Sequence, residues 1–162
     1  MLELALPIYK LNLTYAQKLV ADVPDEQFCA QPVSGRVLNH PAFVLGHLAW
    51  VSKRALGYVA QGAPSDVEGA DLFGMGAVPQ ADRSRYPSKE RLLGDLETAH
   101  AALAAAVSKA RPEVLQQPAA ERIRARFPTV EHLLLHMLTS HEATHLGQLS
   151  AWRRALGLPP TS

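Results

Sequence analysis

The stretch from Pro128 to Leu158, PTVEHLLLHMLTSHEATHLGQLSAWRRALGL, constrains the fold more than any other part of the chain. Thr129 after Pro128 is suited to cap a helix, and Glu131 in the first turn suits the positive end of its dipole. Gly157, Pro159 and Pro160 form the stop, with Arg153 and Arg154 in the last turn. One long helix is expected between them, interrupted only by Gly147, at a cost of about 1 kcal/mol relative to Ala.

At roughly 100° per residue, the four histidines of this helix divide into two pairs. His132 and His136 fall at about 0° and 40°, on the polar side with Ser140, Ser150 and Arg154. His141 and His145 fall at about 180° and 220°, among Leu134, Met137, Leu138 and Trp152. An unpartnered buried polar group costs about 1–3 kcal/mol, so two imidazoles one turn apart in an apolar arc call for a partner. A shared metal ion is the simplest one, since i, i+4 spacing sets the rings side by side. Hydrogen-bonded core histidines are the plainer alternative. His132 and His136 share the spacing, but a solvated face accounts for them.

The rest of the chain supplies candidate neighbours. Leu4, Ile8, Leu11, Tyr15 and Leu19 recur at helical spacing over Leu2 to Ala21, and Asp22 to Glu26 begins a short helical piece ending before Pro32. Asn39 is expected to cap a second helix, with Pro41 in its first turn, running to about Ala60 before Gly62. That helix is apolar around most of its girth and is therefore central. His47 lies on its arc with Phe43, Trp50, Val51 and Tyr58, whereas His40 sits at the helix mouth. Arg54 points to the same cleft or to the surface. Residues 61–87 form a long connection with a short helix near Phe73, as a lid or a crossover. Ser88 caps a third long helix from Lys89 to about Lys109, on which His100 has no partner at ligand spacing and is structural or exposed. Residues 112–128 are a second connection, extended around Ile123 and Phe127. Long helices joined partly by long loops specify an all-α four-helix bundle with crossover connections, a single domain over residues 1–162.

Composition narrows the function. Charged residues at 19% and hydrophobic ones at 48% suit a globular chain, and a net charge of +1 offers no nucleic-acid footprint. The short basic run Arg122, Arg124, Arg126 reads as a solvated loop or edge. Cys29 stands alone, so the chain has no internal disulfide framework, which fits a reducing cytoplasm. MLELALPIYK lacks the basic n-region of a signal peptide, and no apolar run approaches the ~20 residues of a membrane span.

His141-Glu142-Ala143-Thr144-His145 is literally H-E-x-x-H, the zinc-peptidase motif in which Glu polarises the metal's water. A peptidase of the familiar kind needs a third ligand after the motif, yet no Asp, Glu, His or Cys follows His145, and Gln148 and Ala151 stand where the extended motif has Gly and His. A third ligand must come from upstream, where His47 is the buried-looking candidate on a neighbouring helix. NHPAFVLGHLAW around His47, together with SHEATHLGQLSAWRRALGLP at the C-terminal end, resembles the DinB/YfiT-like superfamily across the whole chain. The resemblance implies a four-helix bundle in which His47, His141 and His145 hold a divalent metal such as nickel, zinc or iron, in a cytoplasmic protein that forms a homodimer. It further implies a small-molecule substrate, with no nucleic acid and no membrane. Three imidazoles leave coordination positions open. Activation of a low-molecular-weight thiol, a cosubstrate such as bacillithiol, mycothiol or glutathione, for transfer to an electrophile in detoxification or stress response is the leading implication. A hydrolase in which the metal activates water, with Glu142 as catalytic base, is a second. A non-enzymatic stress-related protein stabilised by its metal is a third. Glu142 is read as base, as a partner behind the ligands, or as a solvated residue. Trp50, Gln148 and Trp152 are candidate pocket residues, with core packing the alternative for both tryptophans.

Overall fold

Helix α1 (Leu6–Val20) follows a 3-10 turn at Leu2–Ala5 and buries Tyr9, Ala16, Leu19 and Val20. The computed structural model describes residues 2–161, all helix, turn and loop, with one isolated antiparallel bridge between Pro118 and Thr129 and no strand among the described residues. Helix α2 (Pro41–Gln61) is buried over most of its surface, as its apolar sequence demands. Its N-cap is His40, one residue later than expected: extended at His40, the chain brings ring Nδ1 to accept from the Phe43 amide at 3.2 Å. Asn39 instead reaches across to Gln148. Gly62, at φ +78°, ends the helix in the left-handed conformation that glycine adopts without strain.

A one-turn helix, α3 (Ala70–Phe73), lies in the connection that follows. Ser88 caps α4 (Lys89–Val107) by accepting from the Arg91 amide, and α4 buries Leu92, Leu96, Ala99, His100, Leu103 and Val107. The expected extended stretch over 112–128 contains two single turns, α5 (Pro112–Leu115) and α6 (Glu121–Arg124). Only the pairing of 117–119 with 128–130 is strand-like there. The last helix is not continuous. It runs as α7 (Val130–His136), a π-helical turn (Met137–His141) and α8 (Glu142–Ala155). Thr129 has the extended backbone of an N-cap, but its hydroxyl pairs with His132 Nδ1 and leaves the backbone amides alone.

Contacts between helices fix their directions. Asn12 meets Thr139 and Leu19 meets Arg153, so α1 runs parallel to α7–α8. Asn39 meets Gln148 and His47 meets His141, so α2 runs against them. Tyr9 stacks on His100 and Gln17 bonds Glu97, so α4 also opposes α1. The order is up, down, down, up. Because α2 and α4 are parallel, the connection between them must return along the whole of α2, about 31 Å for 21 residues. That requirement makes residues 62–88 a crossover.

Two apolar clusters fill the bundle, one around Leu19, Phe28, Phe43, Leu96, Leu149 and Trp152, the other around Tyr9, Tyr58, Leu103, Leu134 and Leu138. A polar layer separates them. Ser52, His100 and Glu142 are buried at this level, flanked along their helices by residues of one cluster on one side and the other cluster on the other.

Candidate metal centre

His47, His141 and His145 come together where α2 faces the start of α8, each offering a ring nitrogen, and the three nitrogens lie within 4.8 Å of one another. His47 is buried and its Nδ1–H donates to the Phe73 carbonyl at 2.7 Å. That bond fixes the tautomer, so Nε2 presents a lone pair to the cluster. His47 Nε2 stands 3.3 Å from His141 Nε2, and the His145 ring centre is 4.6 Å from that of His47 and 4.7 Å from that of His141. Ligands about 2.0–2.1 Å from a tetrahedral ion are separated by about 3.3–3.4 Å, so the His47–His141 pair already has the spacing of two imidazoles on one ion. His141 turns Nε2 to the cluster, and the Nδ1 atoms of His141 and His145 are buried without a hydrogen-bond partner.

The electrostatics agree with the ligand form. Burial is the main cause lowering the basicity of all three rings. His141 is pushed down to about 3, with the neighbouring histidines adding repulsion, and His145 to about 4. All three rings are therefore neutral near pH 7, the state in which imidazole binds a metal.

The surroundings differ in several places from the sequence reading. Glu142, read as a base beside the metal, is 2% exposed and faces the bundle core. Its Oε1 is 2.6 Å from His100 Nε2, so His100, left without a partner by spacing along its own helix, finds one across the bundle. Burial raises the Glu142 pKa and His100 opposes that rise. The Asn12 side chain also lowers it, but the Asn12 amide makes its hydrogen bond to the Thr139 carbonyl, leaving Glu142 Oε2 without a partner. Tyr9 stacks flat on His100 at 3.8 Å and pairs with Ser52, whose hydroxyl donates to the Leu48 carbonyl. Glu142 is thus held in the polar layer and is not presented to the cluster as a base.

His136 is half-buried rather than solvated. Its ring stacks on Phe127, pairs with Ser140 through Nδ1, and meets the His141 ring edge-on at 5.7 Å. His132 is exposed, as expected. Gln148 is exposed, accepts from Asn39 Nδ2 at 2.8 Å and raises the basicity of His145, which places it at the rim of the cluster. Trp50 is half-buried; its indole N–H donates to the Val67 carbonyl, and it lines a cavity of about 280 Å³ with Gly46, Ala49, Phe73 and Leu92. Trp152 is 1% exposed, donates to the Ala30 carbonyl and belongs to the apolar core, the alternative weighed for it. Arg54 lies over the Trp50 ring and donates to the Ser65 carbonyl.

Two contributors escaped the sequence. The Phe73 carbonyl is a backbone group and leaves no side-chain signature. His136 stays on the polar side of α7, and its shelter comes from the Phe127 ring and from His141, which the π turn rotates toward it.

A family model described as the DinB superfamily matches residues 9–149, which include all three histidines. No curated protein matches the chain. Among the described residues no helix is long and apolar enough to cross a membrane.

Proposed function

The chain belongs to the DinB superfamily, and on that premise we propose that it is a divalent-metal-dependent enzyme that activates a low-molecular-weight thiol for transfer to an electrophile. The observation that carries this reading is the convergence of three neutral imidazole donors within 4.8 Å, one of them fixed in its ligand tautomer by the Phe73 carbonyl. His47, His141 and His145 would hold nickel, zinc or iron, for all of which imidazole is a suitable ligand. A divalent ion there would lower the pKa of a thiol or water at its open positions. The thiol loses its proton to solvent, sulfur forms a bond to the electrophilic carbon, and the leaving group departs with its electron pair. The chain's own part is to hold the three donors, to keep them neutral by burial, and to shape the rim with Gln148 and His136. Glu142, paired with His100 in the polar layer, serves the bundle core and takes no part in proton transfer. The biological role that follows is detoxification of electrophiles.

Elemental mass spectrometry on the wild type, His47→Ala and His141→Ala tests the site. About one metal per chain in the wild type, lost in both variants, is expected. The reaction is tested with glutathione and a chromogenic aryl halide, with turnover abolished in His145→Ala. Ester turnover without thiol would replace transfer by hydrolysis. A metal that raises the melting temperature with neither activity would make the site structural.

A further inference from the structure

We propose that Gly46 and Phe73 are positioning residues of the metal centre, and that metal binding and the docking of residues 64–73 on α2 are one coupled event. The inference rests on the three-histidine reading above and adds residues that are not ligands.

Residues 64–73 of the crossover lie along one edge of α2 as a strap, fixed at successive turns. Gly57 sits so close that a Cβ there would overlap the Ser65 amide nitrogen. Ser65 donates its amide to the Arg54 carbonyl at 3.1 Å, and Arg54 returns a bond to the Ser65 carbonyl. Trp50 donates its indole N–H to the Val67 carbonyl. Gly46 lies under the Phe73 ring, which occupies the space a Cβ would need. Residues 46, 50, 54 and 57 are spaced three or four apart, so they form one stripe of the helix. The strap ends at the metal centre. Its last helical residue, Phe73, supplies the carbonyl that accepts from His47 Nδ1.

That placement has a chemical consequence. A histidine that donates its second N–H to a fixed acceptor is held in one tautomer and orientation, and its remaining nitrogen becomes a better ligand. The acceptor belongs to a crossover element, and its position is secured by a ring pressed into the notch at Gly46. A methyl group at residue 46 pushes the ring away and draws the carbonyl off His47. The same linkage works in reverse. An ion on His47 polarises the imidazole, strengthens the Nδ1–H bond to Phe73 and fastens the strap. Gly46 is otherwise a poor choice in the middle of a helix, where Ala is favoured by about 1 kcal/mol. Gly46→Ala therefore favours α2 itself, and lost affinity in that variant is not explained by a weaker helix.

The test is calorimetric titration of Zn²⁺ into metal-free wild type, Gly46→Ala and Phe73→Ala, with hydrogen exchange of residues 64–74 measured before and after saturation. In the wild type, saturable binding with slowed exchange across 64–74 is expected. Both variants should bind about tenfold to 100-fold more weakly, the range for loss of a ligand's outer partner, and show less metal-dependent protection. Phe73→Ala removes the ring without adding bulk, so it decides the matter if Gly46→Ala does not fold. Variants that bind Zn²⁺ as tightly as wild type, or saturation that leaves exchange of 64–74 unchanged, would overturn the coupling and leave the three-histidine centre standing. No saturable binding by the wild type would overturn both.

Discussion

Acidification should weaken this fold through His40, and the size of the effect follows from its surroundings. The ring is fully buried at the mouth of α2, where Nδ1 accepts from the Phe43 amide and Nε2–H donates to the Gln80 carbonyl at 2.9 Å. Tyr86 packs edge-on against it, and the Arg83 guanidinium adds a repulsive charge. Burial is the largest cause pushing its pKa down to about 4 from 6.5. A second proton must go to Nδ1, which would break the helix cap. Below pH 6.5 the unfolded chain takes up that proton and the folded chain does not, so stability is fully present above 6.5 and falls as pH drops toward 4. At about 1.36 kcal/mol per unit, roughly 2 kcal/mol is lost by pH 5 and about 3 kcal/mol by pH 4. Urea denaturation of metal-free protein at pH 7.5 and pH 5, for wild type and His40→Asn, isolates this contribution. Asn retains an oxygen able to cap Phe43 but does not titrate. The variant should be less stable at pH 7.5, where it lacks the Gln80 bond, and should lose about 2 kcal/mol less than wild type on going to pH 5. Equal losses in the two proteins would refute the assignment of the acid sensitivity to His40.

Other substitutions probe the polar layer and the bundle end. His100→Leu strips Glu142 Oε1 of its partner inside the core and should cost about 3–5 kcal/mol in urea denaturation, whereas His100→Leu with Glu142→Leu should cost clearly less than the sum of the single changes. Strict additivity would mean that the two do not act as a unit. Tyr9→Phe removes one hydrogen bond to a Ser52 hydroxyl that keeps its bond to Leu48, so a loss of only about 1 kcal/mol is expected by the same measurement. Arg153→Met should cost about 2–3 kcal/mol: the buried guanidinium bonds the Leu19 and Pro159 carbonyls and Asp22, but Asp22 is half exposed and can be rehydrated. Its thermal midpoint should fall by several degrees with Zn²⁺ affinity unchanged.

Much of this molecule is legible in its sequence. Helix periodicity, Ser88 and the Gly62 and Gly157 stops marked the long helices, because caps and apolar stripes are local features. His47 stood out because an apolar helix is a costly place for an imidazole. Partnerships across helices were not legible. His100 and Glu142 are 42 residues apart and meet only across the bundle core, where side chains from α4 and α8 reach each other. His40 replaced Asn39 as cap because its ring satisfies two backbone groups at once, one of them on the distant crossover. The Phe73 carbonyl could not be found from side-chain types at all.

The errors in the last helix share one cause. On a straight helix with His132 at zero, the buried residues of the first half (Val130, Leu133, Leu134, Leu138) centre near about 175°. Those of the second half (Glu142, Leu146, Leu149, Trp152, Arg153) centre near about 270°. The two buried faces are out of phase by close to 100°, one residue of helical rotation. A π turn inserts one residue, and the turn at 137–141 brings both faces onto the same core. The same correction carries His141 from the middle of the apolar arc to its edge, about 40° from His136, where the two rings meet. It also turns Glu142 inward to His100. Side chains occupy the loosened backbone: Thr139 donates to the Leu135 carbonyl, Thr144 to the Ser140 carbonyl, and Asn12 reaches the Thr139 carbonyl from α1. Adjacent Thr139 and Ser140 in mid-helix, between two apolar faces that fail to align, were the available sign. The discontinuity lets one helix bury an acid in the core and set two imidazoles at its edge, where they face His47.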